Sequence, residues 1–228
     1  MFANCLGMNF TNPLGLAAGM DKKGENIPNW ECLGFGWIEI GGITFHQQDG
    51  NPKPRMFRSN KHRALINRMG FNNPGSQKVS LKLQQHIGKF GNPSVPLWAN
   101  LGKSKTTSLE DAPKDYAQTM ERLWDYCDVF VINVSSPNTP NLRDLQHDEA
   151  LESIIKSCQK VNKDKASSSD SEIKPLLIKI APDLSDEQLV AVVNTARSAG
   201  CDGIIATNTT VERPKTFSKS EGKIFAET

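Results

Sequence analysis

Lys179 lies inside an apolar run, Leu176–Ile180 followed by Ala181, and an ammonium buried among such neighbours needs a purpose. Polar groups able to do chemistry also close most of the other short apolar runs. Ala18-Gly19-Met20-Asp21-Lys22 follows the first run, Gly41-Gly42-Ile43-Thr44 ends the second, and Asn100 sits in the third, within Ala99-Asn100-Leu101-Gly102-Lys103. The fourth runs into Asn133-Val134-Ser135-Ser136-Pro137-Asn138-Thr139-Pro140, and the sixth opens into Thr207-Asn208-Thr209-Thr210. A further stretch holds Asn67-Arg68-Met69-Gly70-Phe71-Asn72-Asn73. The set consists mainly of carboxamides, hydroxyls and lysines, with neither a carboxylate pair nor a histidine. A glycosidase or a metal hydrolase needs the groups that are missing. A carboxamide offers a donor and an acceptor side by side, which suits a planar ring edged with C=O and N–H groups, such as a pyrimidine or a flavin. The lysines add fixed positive charge for a substrate carboxylate, or for a flavin that turns anionic on reduction.

Taken one at a time, each stretch is ordinary. Asn, Ser, Gly and Pro are turn residues, so Asn133–Pro140 alone reads first as a strand-to-loop turn. Asp21 and Lys22 alone read as a solvated pair, and Asn208-Thr209-Thr210 as a polar strand exit. Their joint placement at successive strand ends is not ordinary, because the elements between them repeat. Apolar periodicity predicts strands at Leu14–Ala18, Trp37–Ile43, Leu97–Leu101, Val129–Val134, Leu176–Ile180 and Gly203–Ala206. Amphipathic helices are predicted around Asn26–Leu33, Gly75–Ile87, Lys114–Trp124, Asp148–Val161 and Asp186–Ala199. The last helix has a full start and stop. Ser185 can cap it with Gln188 three residues on, Leu184 and Leu189 can staple it, and Gly200 can close it as a left-handed cap. Lys163–Ser171 (KDKASSSDS) reads as a polar surface loop.

Repeated strand–helix alternation means a parallel β/α architecture, either an open doubly wound sheet or a closed eight-stranded barrel. No G-x-G-x-x-G follows the first strand, which counts against the dinucleotide-binding open sheet. Polar groups after nearly every strand are what a (β/α)8 TIM barrel places at its active face. The chain therefore reads as one barrel domain over residues 1–228, with about six of eight strands present.

Composition narrows the class further. With 37% hydrophobic and 23% charged residues the chain can bury a core like any globular domain. A net charge of +2 gives no broad footprint for nucleic acid, and Lys53, Arg55 and Arg58 alone read as solvated surface. The five cysteines are scattered without a C-x-x-C pair and the four histidines lack H-x-x-x-H spacing, so neither a disulfide framework nor a metal site is expected. No apolar stretch approaches a membrane span, and no basic residue precedes Lys22, so a signal peptide is not read at the N-terminus.

Six ordered motifs carry a resemblance: Asn12–Gly19, Gly50–Arg55, Ile66–Asn73, Asn133–Pro140, Lys179–Asp183 and Ile205–Thr210. From about Asn4 onward the chain resembles the class 2, quinone-linked dihydroorotate dehydrogenases, flavin mononucleotide (FMN) enzymes of pyrimidine synthesis. The resemblance implies that dihydroorotate loses a proton from C5 and a hydride from C6, the hydride going to flavin N5. Ser136 matches the catalytic base, with the proton leaving through a water near Thr139 and Phe71. Lys22, Asn67, Asn133, Asn138, Asn208 and Thr209 match orotate contacts, and Arg68, Met69, Gly70 and Phe71 lie in the same substrate loop. Ala18, Gly19, Met20, Asp21, Lys22, Asn100, Asn133, Lys179 and Thr207 match flavin contacts. Arg58 matches an arginine of the quinone tunnel. Gly42 departs from the pattern, standing where many members carry Thr or Ser, so that only a backbone contact to the flavin is expected there.

Class 1 relatives carry cysteine at the position of Ser136, so the serine points to class 2. The alternatives are a soluble class 1 type enzyme, or a chain without activity by itself. The family's N-terminal helical extension, which forms the quinone site and touches the membrane, is expected to precede this chain. A Gly-Gly-x-Ser-Gly loop and two more strands are expected to follow Thr228. The implied partners are dihydroorotate and orotate, a quinone and, through that extension, the membrane surface, with no nucleic acid. The implied location is peripheral on the cytoplasmic side of the cell membrane, or the inner mitochondrial membrane in a eukaryote.

Overall fold

A computed structural model of the chain describes residues 3–137, 142–146 and 148–213. Asn138, Thr139 and Pro140 lie outside the described residues, as does everything after Arg213. Strands β3 (Gly15–Leu16), β4 (Trp37–Ile43), β7 (Leu97–Leu101), β8 (Val129–Asn133), β9 (Leu176–Ile180) and β10 (Gly203–Ala206) form one parallel sheet in chain order. Helices α2 (Ser76–Phe90), α3 (Ala112–Leu123), α4 (Asp148–Ser169) and α5 (Asp186–Ser198) fill the crossovers after β4. A short α1 (Ile27–Cys32) fills the first. The sheet curls into an incomplete (β/α)8 barrel, as the sequence led us to expect.

Side-chain alternation sorts each strand into two faces. Ile38, Ile40, Leu97, Ala99, Leu101, Phe130, Ile132, Leu176 and Ile178 point outward and pack on Val79, Leu83, Tyr116, Met120 and Ile154 of the helices. Each large aliphatic side chain so buried contributes about 1.5–3 kcal/mol. The inward face has two levels. Trp98, Val129, Val131 and Leu177 form an apolar floor with Phe10, Trp37 and Ile205. Above it, toward the C-terminal strand ends, the same face carries Glu39, Asn100, Asn133 and Lys179, all buried.

Two hairpins were not foreseen from the sequence. β1 (Ala3–Cys5) and β2 (Met8–Phe10) pair antiparallel beneath the sheet. The Phe10 ring meets Trp37 edge-on at 5.6 Å and Trp98 at 6.3 Å, while the two indoles stack at 5.2 Å. The hairpin thus plugs the floor with aromatic contacts. β5 (Met56–Ser59) and β6 (Ala64–Asn67) pair antiparallel between β4 and α2 and lead into the loop that begins at Asn67. Both are too short for a periodicity to register.

Several boundaries shift. The expected loop Lys163–Ser171 is mostly helix, because α4 runs on to Ser169. Ala166 is 4% exposed and packs on the core. The polar side chains around it serve the helix: Lys165 pairs with Asp125 at 3.2 Å, and the hydroxyls of Ser168 and Ser169 donate back to the Lys165 carbonyl at 2.9 and 2.7 Å. The first strand is only Gly15–Leu16, since Leu14 is exposed and the Ala18 N–H is taken by a side chain, Glu39. α2 continues past Ile87 until Gly91, at φ +81°, turns the chain away.

α5 starts and stops as expected. The Ser185 hydroxyl accepts from Gln188 N at 3.3 Å, and the Gln188 side chain accepts from Ser185 N at 3.0 Å. At the far end Gly200, at φ +90°, lets its own N–H reach Arg197 O and lets Cys201 N reach Ala196 O, a Schellman close. Ser185→Ala should therefore destabilise the fold by about 1 kcal/mol, read as a lower denaturant midpoint, while Ser185→Asp keeps the cap. Equal midpoints for Ser185→Ala and the parent would show that the box carries no stability.

Candidate active site

The polar level of the barrel is a continuous hydrogen-bonded belt. Ala18 N donates to Glu39 Oε2 at 3.0 Å, and Asn100 Nδ2 donates to Glu39 Oε1 at 2.7 Å. Asn133 Nδ2 donates to Asn100 Oδ1 at 2.9 Å, while Asn133 Oδ1 accepts from Ser135 N and Oγ at 3.2 and 2.9 Å. Asn208 Nδ2 closes the row on Ser135 Oγ at 3.0 Å. Strand ends β3, β4, β7, β8 and β10 are so tied edge to edge. Burial without these bonds would cost about 1–3 kcal/mol per group. Lys179, beside Asn133 in the sheet register and 9% exposed, forms no ion pair among the described residues, so its charge is available to a ligand.

Tyr116, fully buried on α3, braces the belt from behind by donating to Asn133 O at 2.9 Å. Burial, then the neighbouring charge of Asp115, pushes its hydroxyl well above the ordinary range, so it stays a donor. Lys103 and Asp115 hold the turn after β7: the ammonium donates to Ser104 O at 2.9 Å and to Thr107 O, and the carboxylate accepts from Ser104 N and the Thr107 hydroxyl.

The wall opposite is the 67–73 loop, fixed by Asn73. Its Oδ1 accepts from Thr44 N and Gly75 N, and its Nδ2 donates to Thr44 Oγ1 and to Phe71 O at 2.6 Å. Gln48 adds a bond from Nε2 to Gly70 O at 2.9 Å. Phe71 is thereby held at φ +48° with its ring against two glycines. A Cβ on Gly102 would meet the ring at 3.0 Å, and one on Gly42 at 2.7 Å. In this chain the Phe71 ring occupies the space that a side chain at position 42 would take.

Arg143, in a 3-10 turn at Leu142–Gln146, clamps three loops of this face. It donates to Ser135 O at 3.1 Å, Asp183 Oδ2 at 2.8 Å and Thr209 O at 3.2 Å. Asp183 in turn accepts from the Thr210 hydroxyl and from Val211 N.

These parts enclose a cavity of about 260 Å³. Ser136, 6% exposed, reaches it together with Lys22, Asn67, Asn133, Asn208 and Thr209. Met69, Gly70 and Phe71 line it from the loop, and Ala18, Gly19, Met20, Gly42, Asn100 and Lys179 from the strand ends. Three expected residues are not on its wall. Asp21 turns its carboxylate into its own loop, accepting from Lys23 N, Glu25 N, Asn26 N and the Trp30 indole. Arg68 faces the β5–β6 hairpin, donating to Pro54 O and lying 5.7 Å over Phe57. The Thr207 hydroxyl bonds to Asn208 O. Asn138, expected as a substrate contact, is outside the described residues.

Sequence reasoning missed Met56, which lines the mouth, and Glu39, Asn73, Tyr116 and Arg143 behind the wall. Glu39 had the same signal as Lys179, a lone charge in an apolar strand.

A sequence profile of the dihydroorotate dehydrogenases matches residues 1–228. The chain belongs to the dihydroorotate dehydrogenase family. Curated relatives named dihydroorotate dehydrogenase (quinone) include that of Thermosynechococcus vestitus, 48% identical over 91% of this chain and 54% of its own length. The Gloeobacter violaceus relative is 49% identical over 91% of this chain and 55% of its own. That of Halobacterium salinarum is 45% identical over 94% and 58%. The chain thus spans somewhat more than half the length of the relatives it matches. The crystal structure of Eimeria tenella DHODH with ferulenol superposes with a TM-score of 0.87 at 38% identity, covering 96% of this chain and 62% of that one. The ligand-free form superposes at 0.86.

In this family member the Arg143–Asp183 clamp has a pH signature. Burial pushes the Asp183 carboxyl up, but hydrogen bonds from Thr210, Val211 and Arg143 outweigh it and hold it below the usual 3.8. A depressed carboxyl contributes stability that is full above its unfolded value and is lost as pH falls through the folded one. Asp183→Asn should destabilise the protein by about 1–3 kcal/mol at neutral pH, with the gap to the parent closing in acid. A gap independent of pH in denaturation series would contradict the clamp.

Proposed function

We propose that the protein is an FMN-dependent dihydroorotate dehydrogenase that passes its electrons to a membrane quinone in pyrimidine synthesis. The observation that carries this reading is the meeting of Ser136, Lys22 and four polar substrate-type side chains in one cavity, with Asn100 and Lys179 behind them. The donor set fits a flavin. Asn100 and Asn133 each keep a second N–H for a carbonyl or ring-nitrogen edge, and Lys179 brings positive charge to the same edge. At Gly19, φ +104°, an added Cβ would meet nothing within 4 Å, so the backbone there lies open to a flat ring.

The chemistry a bound FMN supplies is acceptance at N5 of the hydride from substrate C6. The chain's own groups do the rest. Lys22 and the carboxamides of Asn67, Asn133 and Asn208 hold the carboxylate and the carbonyl and N–H edges of dihydroorotate. Ser136 takes the C5 proton while its own hydroxyl proton passes to a water beside Phe71, and C5 and C6 become doubly bonded as the hydride leaves C6. Serine rather than cysteine at this position supports the quinone-linked class. The 67–73 loop walls the cavity on this side and limits solvent there to the relay water beside Phe71. The β5–β6 hairpin, with Arg58 and Met56, is our choice for the path of the quinone. No helix among the described residues is long and apolar enough to cross a membrane, and we place the protein at the membrane surface, where a lipid-soluble quinone is met.

Two outcomes test this in the protein expressed from its complete reading frame. Ser136→Ala should slow flavin reduction by dihydroorotate by about 10²–10⁴-fold while orotate still binds; a loss of only a few-fold would remove Ser136 from the base's role. The second concerns Lys22, which burial and then the like charge of Arg55 hold below the ordinary lysine value of 10.5. A bound carboxylate favours the protonated form, so orotate affinity should fall as pH rises through that lowered value, before 10.5 is reached. Lys22→Met should bind weakly at every pH, and a parent profile as flat as the variant's would contradict the role.

A further inference from the structure

The belt runs between two backbone N–H groups, Ala18 N at one end and Ser135 N at the other. Both ends are donors whose direction the chain fixes. Between them stand three side chains, Glu39, Asn100 and Asn133, each joined to the next by one hydrogen bond. A carboxamide accepts on one side and donates on the other, so it passes the polarity along unchanged. Three carboxamides in a row, starting by accepting from Ala18, would reach Ser135 presenting NH2 to N–H. That is donor against donor. One member must accept on both sides, and an ionised carboxylate is the side chain that does so. Glu39 does this, accepting from Ala18 N at 3.0 Å and from Asn100 Nδ2 at 2.7 Å.

With Glu39 in place no amide in the row is free to turn. Asn100 must give its oxygen to Asn133, and Asn133 its oxygen to Ser135. Each amide then has a second N–H, and both residues line the cavity. With the ammonium groups of Lys22 and Lys179 on the same wall, these surfaces present donors and few acceptors. We propose that Glu39, which does not touch the cavity itself, is the positioning residue that sets the amide polarity of the site and so selects ligands with carbonyl, carboxylate or ring-nitrogen edges. Only the identity of the ligand rests on the dehydrogenase reading; the polarity rule rests on the belt.

The test moves the carboxylate one link along. Glu39→Gln, Asn100→Asp and the double variant are made in the protein expressed from its complete reading frame. Glu39→Gln leaves one donor–donor contact in the row, so its folding equilibrium should shift toward the unfolded state by about ten- to a hundredfold. Asn100→Asp sets two acceptor-only groups face to face and should lose as much. In the double variant the new amide accepts from Ala18 N and donates to the new carboxylate, whose other oxygen accepts from Asn133 Nδ2. Every link is again a donor meeting an acceptor. The double variant should therefore be at least about tenfold more stable than either single variant, by the same constant. FMN affinity should split away from stability. Glu39→Gln weakens it through misdirected amides, and the double variant stays weak because the N–H of Asn100 is gone. A double variant no more stable than the poorer single one overturns the proposal, as does a Glu39→Gln protein within twofold of the parent in both stability and FMN affinity. If the parent itself binds no FMN, the dehydrogenase reading fails, and the stability cycle still decides the polarity rule.

Discussion

A buried carboxylate accepting two N–H donors at Glu39 is the contact on which the cavity face of the barrel depends. The barrel's inward surface must be filled, and its lower level is filled in the usual way by Trp37, Trp98, Val131 and Leu177. Its upper level is polar and equally shut off from water, so each group there must find its partner in the protein. Glu39, Asn100 and Asn133 solve this among themselves and two backbone amides. What remains unsatisfied points to the cavity: a second N–H on each carboxamide, and the ammonium of Lys179. Binding capacity here is what the belt leaves over.

The loops above the strands are held by a second tier of the same logic. Asn73 fixes the 67–73 wall, Arg143 ties the Ser135, Asp183 and Thr209 loops, and Tyr116 anchors the end of β8 to α3. These residues hold the wall in place from outside the cavity. A site on strand ends with loops so pinned is preorganised, which is what the proposed removal of a proton and a hydride from adjacent carbons would require.

Much of this was legible in the chain. The central strands Trp37–Ile43, Leu97–Leu101, Val129–Asn133 and Leu176–Ile180 are apolar runs because helices cover one face and the barrel floor the other, and that signal survives in sequence. Cap chemistry at Ser185, Gln188 and Gly200 is local, so the sequence carries it in full. The hairpins were not legible, since three- and four-residue strands carry no period. KDKASSSDS misled because its serines bond back to their own helix, and one buried alanine, Ala166, outweighs the polar composition. In the site, Asn, Ser and Lys at strand ends were visible as types, whereas their orientation is a tertiary property. Asp21, a carboxylate beside Lys22 in sequence, turns away to cap its own loop. Arg68 lies between two cavity residues and faces the hairpin instead.

The direction of the amides is the claim from which the rest follows, and deuterium positions report it directly. A neutron structure of the perdeuterated protein should place deuterons on the Asn100 amide toward Glu39 and on the Asn133 amide toward Asn100, with none on the Glu39 carboxylate. Nuclear density showing the Asn100 oxygen facing Glu39, or a deuteron on a Glu39 oxygen, would contradict the account.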